Sequence, residues 1–214
     1  MSGAEPEAHP DDLQEPTGED PLGHYVEVTP RALALLNLRD CKEQLERRKG
    51  EPLRLAQAAK SAHLAMQAAL TDALAGSAGI GAYNDDLRAA YLAYFEESRA
   101  DDEVTPPQGD FVLPFPKLLA RAMEHPMEWS GQKLEVSPDE MTALERLTYI
   151  RHRVEHPRPQ FHFIEPLFIA ATLPIAARLT LELLDVCCHH YDEGEREGAD
   201  ASVSAIASLC AEIS

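Results

Sequence analysis

Ser137-Pro138-Asp139-Glu140 is a complete helix start, and the helix it opens must stop at His156-Pro157. Serine caps, proline takes the first helical position, and the glutamate three residues after the cap closes a capping box. At the far end Pro157 and Pro159 force the chain out of helix, because a residue before proline avoids the α region. Between these bounds, at 100° per residue, Met141, Leu144, Leu147, Ile150 and Val154 fill one apolar stripe. Such a stripe has to be buried against other helices or a sheet, and the rest of the chain offers no credible strand ladder. Its strongest apolar runs are rich in Ala and Leu, which lead the helix scale, and aromatic residues make up only 6%. The expectation is an all-α helical bundle of about five helices.

The other segments fit that expectation. Thr29-Pro30 caps a helix to about Lys49, stopped at Gly50, and Pro52 opens a second to about Ala75. The second has a seam at Ala59, His63, Met66, Leu70 and Leu74. Glycines 76, 79 and 81 break it. A third helix over about 83–97 carries Tyr83, Leu87, Tyr91, Tyr94 and Phe95 on one side, read as core. A short helix near 114–124 lies between two polar connections long enough to shape or cover something. A last long helix runs from Glu165-Pro166 to about His190, bent at Pro174. The bundle domain is thus read as 29–191. Residues 1–28 are expected to be a disordered acidic tail, and 192–214 an acidic, weakly structured one.

The formal charge is −18, and seven of those charges (Glu5, Glu7, Asp11, Asp12, Glu15, Glu19, Asp20) lie in residues 1–22, which hold no Lys or Arg. Such acidity argues against generic binding to nucleic acid or anionic membrane. The four cysteines lack framework spacing and read as reduced thiols. No signal peptide is evident, and no uncharged apolar run reaches the roughly 18 residues of a membrane span. A cytoplasmic protein is expected.

Against that background, residues 146–162 are an island. They contain Arg146, Arg151, Arg153 and Arg158 with His152, His156 and His162, against Glu155 as the one acid. Arg146 and Arg153 fall on the solvent side of the helix, but Arg151 falls within the stripe, between Leu144, Leu147 and Val154. An unpaired buried guanidinium is costly and cannot deprotonate to escape. Arg151 therefore needs a carboxylate, with Glu182 or Asp72 as candidates on neighbouring helices, or an anionic ligand in a cleft. A helix dipole draws cations to its C-terminus, which accounts for Arg153 but not for Arg151.

Here the sequence resembles the HEPN domains, helical bundles of prokaryotic toxin and defence systems. Their signature is an Arg, a polar residue, then a His a turn or so later at the end of a helix, matched by Arg151-His152-Arg153-Val154-Glu155-His156. The second position is commonly Asn or Asp in that family, and His152 departs from it. Arg146 and His152 also satisfy the bare spacing. The resemblance implies a metal-independent endoribonuclease needing no cofactor, acting as a homodimer with a shared cleft and restrained by a cognate antitoxin or regulatory protein. It assigns Arg151, His156 and His152 to catalysis. Arg153, Arg158 and His162 would contact RNA. Some members of the family are non-catalytic, which leaves a helical interaction module as the alternative.

Other constellations compete. His152-x-x-Glu155-His156 spells an inverted zinc-peptidase pattern, with Glu182 as a possible third ligand, but its strand-rich setting is absent. Gly76-Ser77 before Asp85-Asp86 resembles a nucleotidyltransferase start only faintly. Cys187-Cys188-His189-His190 cannot converge on one metal from adjacent helical positions. His63 reads as a satisfied core histidine.

Overall fold

The computed structural model describes residues 28–99, 104–109, 111–156, 159, 163–186 and 192–213, and these are helical with no strand beyond an isolated Tyr83–Val112 bridge. Eight helical segments follow in order: α1 (Pro30–Glu46), α2 (Leu53–Ala75), α3 (Asp85–Glu97), α4 (Phe115–Glu124), α5 (Pro138–Glu155), α6 (Pro166–Ala170), α7 (Leu173–Val186) and α8 (Glu193–Ala211). The all-α class stands, with more helices than the five expected. The acidic tail expected over residues 1–28 lies outside the described residues except for Val28, as does the Cys187–His190 run.

The bundle is built around α2. Its buried residues include Ala58, Ala59, Ala62, Ala65, Ala69 and Ala73, and that run of small side chains lets neighbours approach closely. α1, α7, α5, α4 and α6 all pack on it. The start of α5 is fixed as the sequence implies. Ser137 Oγ accepts from the Glu140 amide, and Glu140 Oε2 accepts from the Ser137 amide at 2.8 Å. These Ser137 hydrogen bonds, helped by Arg178, hold the Glu140 carboxyl below the usual carboxylate range. Arg178 of α7 bridges Glu140 and Glu182, tying the first turn of α5 to α7.

Three expectations need correction. The expected long last helix is divided: α6 ends in a turn at Ala171-Thr172, and Pro174 lies in the first turn of α7. A proline lacks the N–H that would continue the earlier helix, so the chain restarts there rather than bending. By length and composition Pro166–Val186 suffices to cross a membrane, at mean hydropathy 1.7. However, 56% of that window is buried inside the bundle, where Leu173, Leu179, Leu183 and Leu184 are core.

The weakly structured C-terminal tail is instead α8, capped by Asp192, whose side chain accepts from the Glu195 amide, and packed on α1 and α7. Its seam is Ala199, Ser202, Ile206 and Cys210, spaced three and four apart. Small and weakly apolar residues among acids hid this stripe. Finally, the aromatic side of α3 is not core, since no α3 residue is buried. Tyr83, Tyr91, Tyr94 and Phe95 instead stack on one another, with ring centroids 5.6–6.0 Å apart. Arg121 of α4 holds the start of α3 by donating to the Gly81 and Tyr83 carbonyls and to Asp85.

The docking of α8 gives a thiol test. Cys41 of α1 and Cys210 of α8 are both buried and free, and the charge of Cys210 bears on Cys41. Burial first, then the charges of Cys210 and Asp40, pushes the Cys41 thiol up; burial pushes Cys210 up to about 11, against the pull of Arg48. Thiolate is the reactive form. In a Cys187→Ser/Cys188→Ser background, both should resist iodoacetamide at pH 8 until denaturant is added. Rapid labelling of the native protein would mean that α8 does not stay docked.

Candidate functional site at the end of helix α5

The last turn of α5 presents its groups as an i, i+4 helical pair dictates. His152 and His156 are both exposed, their ring centroids are 5.0 Å apart, and the His156 amide closes the helix by donating to the His152 carbonyl. Neither imidazole is enclosed by the bundle, so both are open to a ligand from solvent.

Arg151 is half-buried, its side chain 30% exposed, and one of its terminal nitrogens lies 2.6 Å from Glu155 Oε2. The carboxylate it needs thus comes from its own helix, one turn on. The suggested partners are committed elsewhere, Asp72 to Arg31 at 3.4 Å and Glu182 to Arg178. Glu155 also faces Lys60 of α2, 3.9 Å away, so one carboxylate serves two cations. Arg151 Nε is buried with no hydrogen-bond partner.

Two other arginines of the island lie over rings. Arg153 sits above Tyr149 at 5.0 Å and Arg146 above Phe168 at 4.8 Å, where the ring face attracts a cation. Arg158 and His162 lie outside the described residues. The structure thus places Arg151, His152 and Arg153 in the last two turns of α5 and His156 at its C-cap, and says nothing of the other two.

His63 is the group that sequence reasoning undervalued. It is only 2% exposed, yet neither ring nitrogen has a hydrogen-bond partner, so it is no satisfied core histidine. Its ring lies against Phe115, centroids 4.4 Å apart. Burial, and secondarily the charge of Arg151, lowers its pKa from 6.5 to about 4. At neutral pH it is a buried neutral imidazole near the motif arginine. The sequence placed it on the α2 seam but held no signal that α5 would bring Arg151 to it.

Among the described residues no three His, Cys, Asp or Glu side chains gather closely enough to hold a metal ion. Asp85 and Asp86 form the first turn of α3 after the Asn84 cap. Comparison with protein-family models, with curated proteins and with solved structures finds no match.

Proposed function

We propose that this chain is a metal-independent endoribonuclease of the HEPN-like type, cytoplasmic and homodimeric, serving a toxin or defence system under a cognate inhibitor. The observation that carries the reading is the pair of exposed imidazoles 5.0 Å apart, at the end of the helix that also carries Arg151, whose side chain is 30% exposed. Imidazole is the side chain whose ordinary titration lies nearest neutrality, so a pair can serve as base and acid in one reaction. One ring takes the proton of the RNA 2′-hydroxyl as that oxygen bonds to phosphorus. The other gives a proton to the departing 5′-oxygen as its bond to phosphorus breaks. The products are a 2′,3′-cyclic phosphate and a free 5′-hydroxyl, with no external reactant. Arg151 supports the charge that gathers on the phosphate oxygens, with Arg153, Arg158 and His162 along the RNA path. DNA lacks the attacking hydroxyl and is not a substrate.

The 2.6 Å Arg151–Glu155 pair favours a second reading, a non-catalytic interaction module in which that arginine is structural. Assays in EDTA on varied RNAs separate the two. The enzyme predicts cleavage by the wild type that is lost in folded Arg151→Ala and His156→Ala variants. A folded wild type that leaves every RNA intact would favour the module instead, and cleavage unchanged in both variants would place the activity outside this motif.

A further inference from the structure

α3 makes at most slight contact with any other helix, and none of its residues is buried. A helix of 13 residues standing off its bundle is marginal in water, because most helical stability comes from packing one face on a neighbour. One side of α3 carries the stack of Tyr91, Tyr94 and Phe95. The side turned away from that stack, at 100° per residue, carries Asp85, Arg88, Ala89, Leu92, Glu96 and, in the turn that follows, Arg99. All six are exposed, Leu92 by 49%. The charges on this face are antisymmetric about Leu92. Arg88 and Glu96 stand four residues to either side of it with opposite signs, and Asp85 and Arg99 seven to either side, again with opposite signs. Such a face is complementary to itself when a second copy runs antiparallel across a twofold axis at Leu92, since each cation then lies opposite an anion. We propose that α3 is a dimerisation helix. It pairs antiparallel with the α3 of a second copy, Leu92 on the partner's Leu92, Arg88 opposite the partner's Glu96 and Asp85 opposite the partner's Arg99.

Three further observations favour a second copy as the occupant. The four charges of the face sum to zero on a chain of net charge −18, so two copies meet here without the repulsion that opposes them elsewhere. The charges are also available for exchange. Glu96 and Arg99 hold each other at 3.1 Å as an exposed pair of little worth, Asp85 gives only Oδ1 to Arg121, and among the described residues Arg88 forms no ion pair. Finally, Arg88 and Leu92 border an open cleft beside the end of α2, walled by Leu74, Ile80 and Met127, which leaves room for the partner's side chains at the axis. The pairing goes beyond the ribonuclease reading and does not rest on it. Lys60, which faces Glu155, stands roughly 22 Å along α2 from Ala75, the end from which the chain leads into α3. The interface is thus remote from the motif, and each motif turn stays open in its own protomer.

A helix pair of this length covers less than a standard interface, so association is expected in the micromolar range. Analytical ultracentrifugation of the full chain from about 1 to about 300 μM should show a reversible monomer–dimer equilibrium that salt weakens. Arg88→Glu and Glu96→Arg should each weaken self-association at least about tenfold, by setting like charges opposite one another. Mixed together, these two chains should pair at wild-type strength, because each then presents the sign that the other needs. Leu92→Asp should abolish pairing. The substituted residues are exposed, so circular dichroism of each variant should match the wild type. The mixing arm keeps the test decisive if one variant proves unstable, since unfolded chains would not rescue each other. A wild type that stays monomeric throughout would overturn the assignment. So would a dimer that survives both reversals and Leu92→Asp, or folded reversal variants that fail to pair on mixing. Oligomeric state is read here without RNA, so the outcome is independent of the cleavage assay.

Discussion

As the pH falls from 7 to 4, wild-type protein should lose about 3 kcal/mol of stability that a His63→Leu variant keeps. In the unfolded chain this imidazole titrates at its ordinary 6.5, whereas in the fold burial holds its pKa down at about 4. Above pH 6.5 neither state is protonated and the group contributes no pH dependence. Between 6.5 and 4 the unfolded chain binds a proton that the fold refuses, so stability falls as pH falls, and below 4 the loss levels off. A shift of this size corresponds to about 3 kcal/mol, roughly two orders of magnitude in the unfolding constant. At neutral pH the substitution should itself stabilise, by about 1–2 kcal/mol, because it removes a buried polar ring that has no partner. Urea midpoints at pH 7, 6, 5 and 4 read both effects. Carboxylates elsewhere titrate alike in the two proteins and cancel in the difference. Parallel curves would mean that water or a polar group reaches His63 in solution.

The second large effect concerns α8. Ile206 is fully buried where α8 packs on α1 and α7, so Ile206→Ala should cost about 2–5 kcal/mol. Ile206→Asp should cost more, since it buries a charge with no partner arranged for it. Had 192–214 been a weakly structured tail, both changes would fall within about 0.5 kcal/mol of zero, as surface substitutions do. Thermal melts of the two variants decide between these outcomes.

What the sequence disclosed follows from what is local. Thr29-Pro30 and Ser137 through Glu140 state their caps within four residues, and α1, α2, α4 and α5 begin within a residue or so of where those signals put them. α8 was hidden because its seam of Ala199, Ser202, Ile206 and Cys210 has little hydropathy contrast with its surroundings. α3 misled in the opposite way: an aromatic stripe announces an amphipathic helix, not what will cover it. The motif turn was legible as a geometry, since i, i+4 spacing puts His152 beside His156. The same spacing also pairs Arg151 with Glu155 of its own helix, so the partner comes from one turn on rather than from α2 or α7. His63 was not legible as part of the site, because nothing in α2 reveals that Arg151 will lie near it.

The two ends of α5 are held unequally, and this limits how the molecule can respond at its motif. The first turn is locked by the reciprocal Ser137–Glu140 bonds and by Arg178, while the last has no such reciprocal cap and is tied by the bridge through Glu155. α5 is therefore a rod clamped at its base. A ligand pulling on His152 or His156 cannot slide the helix along its axis without breaking the clamp, so the easier response is to unwind the final turn. Signals from the motif would travel as fraying, a loss of helix from the tip inward, and would fade before reaching the clamped base.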